Sequence, residues 1–296
     1  MNAAGLQNQI DKAAVLLEAL PYLQNFRGAT FLIKVGGSAM EDPALLRRLL
    51  RDVVFLEVAG VNPVLVHGGG KAISAAMRDA GLEAVFSGGQ RITTDEAMDI
   101  VERTLNQVIN PELAKMIEEF GGRAVGLPGN EVFVGERLTG WSEEEGRQVS
   151  LGRVGRPVDF QLDGIKQAIH EEIVPVVSPV ASERETGLAL NVNADLAASA
   201  LAKAIKASKL VFLSDVLGVM EDAKNESTLI PSIKAGDVEG MIEDGTIHGG
   251  MIPKMRSAVD ALEAGVGKVH MIDGRLSHSL LLEIFTESGV GTEIVK

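Results

Sequence analysis

The 296-residue chain reads as an α/β protein, with a mainly parallel sheet and helices on its faces. Three observations predict this. Short β-type runs alternate with helical stretches along most of the chain. Two of the runs, Thr30–Ile33 and Val64–Val66, break into glycine turns that open helices, in TFLIKVGGS and VLVHGGG. The same order returns in the second half, where Lys209–Leu213 and Val269–Ile272 run into Ser214-Asp215 and Asp273-Gly274.

Taken in order, Leu6, Ile10, Ala13, Leu17 and Leu20 form the stripe of an amphipathic helix over 6–20, with Pro21 expected to end it. Such a helix, ahead of the first strand and outside any βα unit, either packs on its own domain or reaches a neighbouring subunit. Helices are expected over Pro43–Val58 and Ala72–Ala80, closed by Gly60 and Gly81. Thr94–Phe120 reads as one long helix with a break near Asn110-Pro111. A short strand follows at Ala124–Leu127. From Pro128 to Val158 the pattern weakens into glycines, a Glu143-Glu144-Glu145 run and short alternating stretches: hairpins that cover something, or a surface insertion. Leu162–His170 is a helix and Ile173–Ser178 a strand. Beyond a boundary near 180–190 come an alanine-rich helix over Asp195–Ala207, a helix within Lys234–Asp244, and a helix opened by Gly249-Gly250-Met251 that runs through Ala264. A helix over Ser277–Phe285 and a strand over Gly291–Val295 close the chain.

Composition narrows the function. The absence of cysteine removes disulfides, thiolate metal sites and Cys nucleophiles, and is compatible with a reducing compartment. A net charge of −13, with no basic run longer than Arg47-Arg48, argues against nucleic acid. No apolar stretch approaches the roughly 18 residues of a membrane helix, and Asp11 and Glu18 interrupt any signal-peptide pattern. The expectation is a cytoplasmic protein with no membrane partner.

The chemistry concentrates at glycines and a few charges. Lys34 is a lone charge in an apolar strand, two residues before Gly36-Gly37. Glycines there let backbone N–H groups approach an anion, and the helices behind them add a positive dipole end. Gly70-Lys71 is not a Walker loop, because Leu65 stands at the earlier glycine position and Ala72 at the Ser/Thr position; neither the dinucleotide G-x-G-x-x-G nor protein-kinase motifs occur. Asn191-Val192-Asn193-Ala194-Asp195 lies at a strand-to-helix junction, where Asp195 is either a helix cap or an orienter of lysines such as Lys254. Arg91, in Gly89-Gln90-Arg91-Ile92-Thr93, is either an exposed helix-start residue or a bidentate carboxylate grip.

In this order, IKVGGSAM, LVHGGGKAI, RITTDEAMDIVE, LALNVNADLAA, VFLSDVLGV, TIHGGMIPK, HMIDGRLSHSLLLEIF and GVGT resemble the N-acetylglutamate kinases of the amino-acid kinase family, from about Leu16 to Ile294. The resemblance implies an αβα three-layer sandwich with an oligomerisation helix (1–28), an N-lobe for acyl-amino-acid binding and dimerisation (29–185) and a C-lobe for ATP (186–296). It implies transfer of the γ-phosphoryl of MgATP to the side-chain carboxylate of N-acetyl-L-glutamate, with ATP and Mg2+ as cofactors and no metal held by the chain itself. Lys34 and Lys254 then flank the transferred group, and Asp195 holds both. Gly36, Gly37, Gly68, Ser214, Asp215 and Gly250 lie by the nucleotide and its phosphates; Gly69, Gly70, Arg91 and Asn191 hold the acyl-amino acid. The N-terminal helix resembles the extension of the arginine-inhibited, hexameric members, trimers of dimers in which Tyr22, His270, Glu283 and Gly289 match the arginine site. A nitrogen-regulatory protein is a further possible partner.

Three positions depart from the family pattern. Lys71 replaces the proline of HGGGP, GQRIT at Gly89–Thr93 replaces GLRVT, and Pro128-Gly129-Asn130 stands where a small residue, Gly and Lys are usual. They lie near the region that reads the substrate side chain, so N-acetyl-aminoadipate kinase remains an alternative, beside a non-catalytic metabolite-binding regulator. Retention of Lys34, Lys254 and Asp195 favours an enzyme.

Overall fold

The computed structural model describes residues 3–87, 90–142, 147–222 and 224–296. Gly89 and the Glu143-Glu144-Glu145 run lie outside the described residues. The elements in chain order are α1 (Ala3–Glu18), α2 (Leu20–Phe26), β1 (Thr30–Val35), α3 (Pro43–Val58), β2 (Asn62–His67), α4 (Gly70–Asp79), β3 (Phe86–Ser87), β4 (Gln90–Arg91), α5 (Asp95–Glu102), a π-helical stretch (Arg103–Ile109) and α6 (Asn110–Glu119). Then follow β5 (Ala124–Leu127), β6 (Phe133–Ser142), β7 (Arg147–Phe160), α7 (Asp163–His170), β8 (Val174–Val177), β9 (Val180–Glu183), β10 (Ala189–Val192), α8 (Ala194–Ala204) and β11 (Lys209–Ser214). The chain closes with β12 (Ser232–Lys234), α9 (Val238–Glu243), α10 (Met251–Glu263), β13 (Lys268–Asp273), α11 (Ser279–Phe285) and β14 (Thr292–Val295).

Eight strands form the central sheet in the order β12-β14-β13-β11-β1-β2-β8-β5. All neighbours are parallel except β13 and β14. Helices cover both faces, which makes the αβα sandwich. The period-2 alternation of β1 divides its side chains between two cores. Phe31, Ile33 and Val35 pack with Leu50, Leu65 and Leu105 on one face. Leu32 packs with Ala197, Phe212 and Met255 on the other. Lys34 shares the parity of Leu32, so it enters the layer that contains α8 and α10.

Some elements differ from expectation. Pro21 does not stop the N-terminal helical region. It sits in the first turn of α2, where a missing N–H leaves no bond unmade. Ile10, Ala13, Leu17 and Leu20 are exposed, as are Val15 and Leu16, so from Ile10 onward the stripe is not buried on its own domain. The helix after Thr94 is not broken at Asn110-Pro111; its winding loosens to π just before, over Arg103–Ile109. The weak region 128–158 forms most of the antiparallel pair β6–β7, and it closes a small barrel, β10-β7-β6-β9, with β10, the strand expected before Asp195, and β9, which carries no clear sequence signal of its own. Gly135 and Gly155 permit this closure: a Cβ at either would lie 2.9 Å from the Ala181 Cβ or 2.6 Å from a Leu190 methyl.

Candidate active site

Lys34, Lys254 and Asp195 come together from three elements. Lys34 leaves the C-terminal end of β1, Lys254 the first turn of α10, and Asp195 the first turn of α8. Asn193, not Asp195, caps α8: its side chain accepts from the Asp195 and Leu196 N–H groups at 2.8 and 3.2 Å. The Asp195 carboxylate is therefore free to bridge. Lys34 Nζ lies 2.9 Å from Oδ1, an ion pair without hydrogen-bond alignment, and Lys254 Nζ donates to Oδ2. Burial pushes the Asp195 carboxyl up, but the two ammonium groups outweigh that and hold it below the ordinary value. Gly36 makes room for the bridge, because a Cβ there would sit 2.2 Å from Lys34 Nζ.

A cavity of about 490 Å³ opens beside this bridge, between the end of β11 and the start of α10. Lys34, Gly37, Ser214, Asp215, Gly250 and Lys254 line it. Asp215 Oδ1 accepts from the backbone N–H and hydroxyl of Ser38, at 2.8 and 2.7 Å, and so ties the end of β11 to the first glycine turn. Burial raises the Asp215 pKa; those two bonds, with Arg275 and Lys34 nearby, bring the net shift below the ordinary value. Gly37 has φ +63, and a Cβ on it would lie 2.4 Å from Asp215 Oδ1. Only glycine satisfies both conditions at this turn.

A second cavity, about 520 Å³, lies on the other side of Gly37, which lines both. Its walls include Glu41, Gly69, Gly70, Lys71, Phe86 and Arg91. Arg91 is buried, not an exposed helix-start residue. Its guanidinium donates to Gly70 O and Ser74 Oγ, each at 2.8 Å, and stacks 4.7 Å from the Phe86 ring centroid. All these partners are neutral, and burial lowers its pKa. Gly69 is closed off behind, where a Cβ would meet Leu105 and Ile109 at 2.7 Å. Gly68 donates its N–H to Val35 O at 2.7 Å. That bond ties the second turn to the first, so this N–H is not a free anion donor. Asn191 lies apart from the lining of both cavities and donates to Thr93 Oγ1 at 3.0 Å.

His270, Glu283 and Gly289 form a separate cluster. His270 Nδ1 lies 2.6 Å from Glu283 Oε1, and Glu283 Oε2 accepts from the Val290 and Gly291 N–H groups at 2.8 and 3.0 Å. Gly289, at φ +61, leaves room for that carboxylate, since a Cβ would lie 2.6 Å from Oε2. Tyr22 reaches the region through an edge contact with Phe285, 6.2 Å between ring centroids. Burial lowers the His270 pKa against the pull of Glu283.

Several residues of these sites carry no motif. Lys209 Nζ lies 2.9 Å from His270 Nε2, with its pKa pushed down by burial to about 8; its only sequence signal is a charge at the start of an apolar strand. Val219, Thr246 and His248 line the first cavity from loops whose approach depends on tertiary structure. His67 is fully buried behind the second turn, between Gly68 O at 2.7 Å and Asn110 Nδ2 at 3.3 Å.

Two cavities that share a glycine turn, with two lysines bridged by an aspartate on one side, are the arrangement of a small-molecule phosphotransferase. The chain belongs to the amino acid kinase family, whose model matches residues 29–273. Among its relatives, the acetylglutamate kinase of Akkermansia muciniphila is 56% identical over 287 residues, 97% of this chain and 96% of that protein. That of Methanocaldococcus jannaschii is 45% identical, covering 97% of both. In fold the chain is similar to the N-acetylglutamate synthase of Neisseria gonorrhoeae complexed with coenzyme A and N-acetyl-glutamate, with TM-score 0.81 and 22% identity over 96% of the chain; the chain spans 63% of that protein. It is also similar to the carbamate kinase of Giardia lamblia bound to AMP-PNP, with TM-score 0.64 and 19% identity, covering 90% of this chain and 98% of that one.

Proposed function

We propose that this protein phosphorylates N-acetyl-L-glutamate on its side-chain carboxylate, using ATP, in the acyl-phosphate step of arginine biosynthesis. The observation that carries the reading is the Lys34–Asp195–Lys254 bridge, placed beside Gly37 where the two cavities meet. ATP takes the first cavity and the acyl-amino acid the second. A carboxylate nucleophile has no proton to lose, so the chain needs no general base. The difficulty is the approach of two anions in line, and the remedy is positioning and charge neutralisation. Lys34 and Lys254 neutralise the transferred group, and Asp195 keeps two like charges in place before substrate arrives. Mg2+ comes with the nucleotide and supplies further charge neutralisation at its phosphates; Ser214, Asp215 and Gly250 border the nucleotide. Arg91 holds the substrate's second carboxylate, and Asn191 acts through Thr93 behind it.

The test is a coupled assay of ADP release with N-acetylglutamate and with N-acetyl-aminoadipate. Preference for the first is expected, and a preference for the second would overturn the substrate. Lys34→Ala should lower kcat by a factor on the order of a hundred or more while changing KM little, because its interaction strengthens in the transition state. A kcat near that of the unaltered protein removes Lys34 from catalysis.

Two observations favour arginine inhibition of a hexameric enzyme. Ile10, Val15, Leu16 and Leu17 of α1 are exposed. The aromatic set Tyr22, Phe26 and Phe285 links α2 to α11, which also carries Glu283. Glu283, with His270 and Gly289 beside it, is then the carboxylate that meets the arginine guanidinium.

A further inference from the structure

The second cavity holds an unequal set of charges. Arg91 is 7% exposed and is fixed by neutral partners. Among the described residues no carboxylate forms an ion pair with it. Lys71 and Glu41 also line this cavity, and they pair with each other. Glu41 follows the first glycine turn, at the end of the 3-10 turn Gly37–Met40, and Lys71 follows the second, in the first turn of α4. The pair therefore joins the two turns across the cavity, one residue beyond the Gly70 carbonyl that fixes Arg91.

The pair is weakly held. The Lys71 side chain is 78% exposed and that of Glu41 32%, and ion pairs of this exposure contribute little to stability. An acyl-amino acid brings two carboxylates. One must lie by the transferred phosphoryl group, and the other has Arg91 as its nearest buried counter-charge. A carboxylate seated at Arg91 brings a second negative charge to the wall that Lys71 shares, where it competes with Glu41.

We propose that Lys71 is a specificity-determining residue for dianionic substrates: it exchanges Glu41 for the substrate's non-reacting carboxylate, and Glu41 keeps its place in the free protein. This rests on the assignment of the second cavity to the acyl-amino acid. The substrate then closes the cavity by replacing one partner of an existing pair, so no ammonium group is left without a counter-charge in either state.

The experiment is calorimetric binding and steady-state kinetics of the full chain with N-acetyl-L-glutamate and with its α-amide, which lacks the second charge. Lys71→Met should weaken N-acetyl-L-glutamate binding about fivefold, the size of one exposed charge pair, with the loss in KM rather than kcat. It should leave α-amide binding as in the unaltered protein. Glu41→Gln should tighten N-acetyl-L-glutamate binding by freeing Lys71, and the gain should vanish in the Lys71→Met, Glu41→Gln double variant. Arg91→Gln separates the two levels. If it weakens binding and Lys71→Met does not, the exchange is wrong and the site reading stands. If Arg91→Gln has no effect, the cavity is not the acyl-amino-acid site and both fall. Equal losses for acid and α-amide in Lys71→Met would also overturn the exchange, since they would mean that Lys71 only supports the fold.

Discussion

His67 shows how a residue outside the chemistry can set its geometry. The ring is fully buried, Nδ1 lies 2.7 Å from Gly68 O, and Nε2 faces the Asn110 side-chain amide at 3.3 Å. Burial pushes its pKa down to about 4. The neutral ring therefore donates from Nδ1 to Gly68 and accepts from Asn110, which fixes the second turn from behind. The group binds its proton more weakly folded than unfolded, so stability is full above about pH 6.5 and is lost as pH falls through that value toward 4. The shift corresponds to about 3 kcal/mol between those limits. In urea unfolding, His67→Gln should flatten the fall in stability over that window; an unchanged slope would assign it to other groups. Asp195 poses the reverse case, a carboxylate held charged between two ammonium groups. Asp195→Asn should leave those groups repelling each other and reduce kcat, with little loss of secondary structure by circular dichroism. Both Lys34 and Asp195 are legible in the sequence, the first as a charge in an apolar strand and the second as an acid at a strand-to-helix junction, two residues beyond the Asn193 that caps the helix. His67 is not, because strand parity leaves open whether an end-of-strand histidine is buried or exposed.

At the scale of elements, α1 has no partner sufficient for the apolar surface it exposes. Ile10, Val15, Leu16 and Leu17 expose on α1 what a monomer would normally cover, and such patches mark association surfaces. The following helix is well seated: Phe26 stacks edge-on against Phe31 of β1, with 5.3 Å between centroids, and against Phe285 of α11 at 6.3 Å. If the protein is the arginine-inhibited hexamer proposed above, deleting residues 1–25 should reduce it to dimers by light scattering and abolish arginine inhibition in the coupled assay. A truncated protein that stays hexameric and inhibited contradicts that reading. The helices with caps and glycine stops were readable because their signals are local: Asp42 caps α3, Thr94 caps α5, and Pro43 occupies the first turn of α3. The π-helical stretch was not, since its apolar spacing reads equally well as α. Nor was β9, which gains its order from β6 and β10 in a closed barrel rather than from its own alternation.

For the whole molecule, strand–turn–helix repetition foretells a parallel sheet but not its strand order, which places β11 beside β1 and so sets the loop after β11 against the first glycine turn. That order makes Gly37 a shared wall. The turn is held by Asp215, 177 residues away from Ser38, and it lines both cavities. Ligands that bind only the folded state stabilise it by mass action, by about 2.7 kcal/mol at a hundredfold excess over Kd, which raises the melting temperature by roughly 5 °C for a chain of this size. A nonhydrolysable ATP analogue and N-acetyl-L-glutamate should each produce such a shift in the unaltered protein. Gly37→Ala introduces a Cβ at φ +63 and within 2.4 Å of the Asp215 carboxylate, so the turn must move and release Ser38. Because one turn serves both cavities, the variant should lose both thermal shifts together, with its far-ultraviolet circular dichroism unchanged. Loss of the nucleotide shift alone would mean that the second cavity is built independently of the first turn, and that the two substrates meet somewhere other than over Gly37.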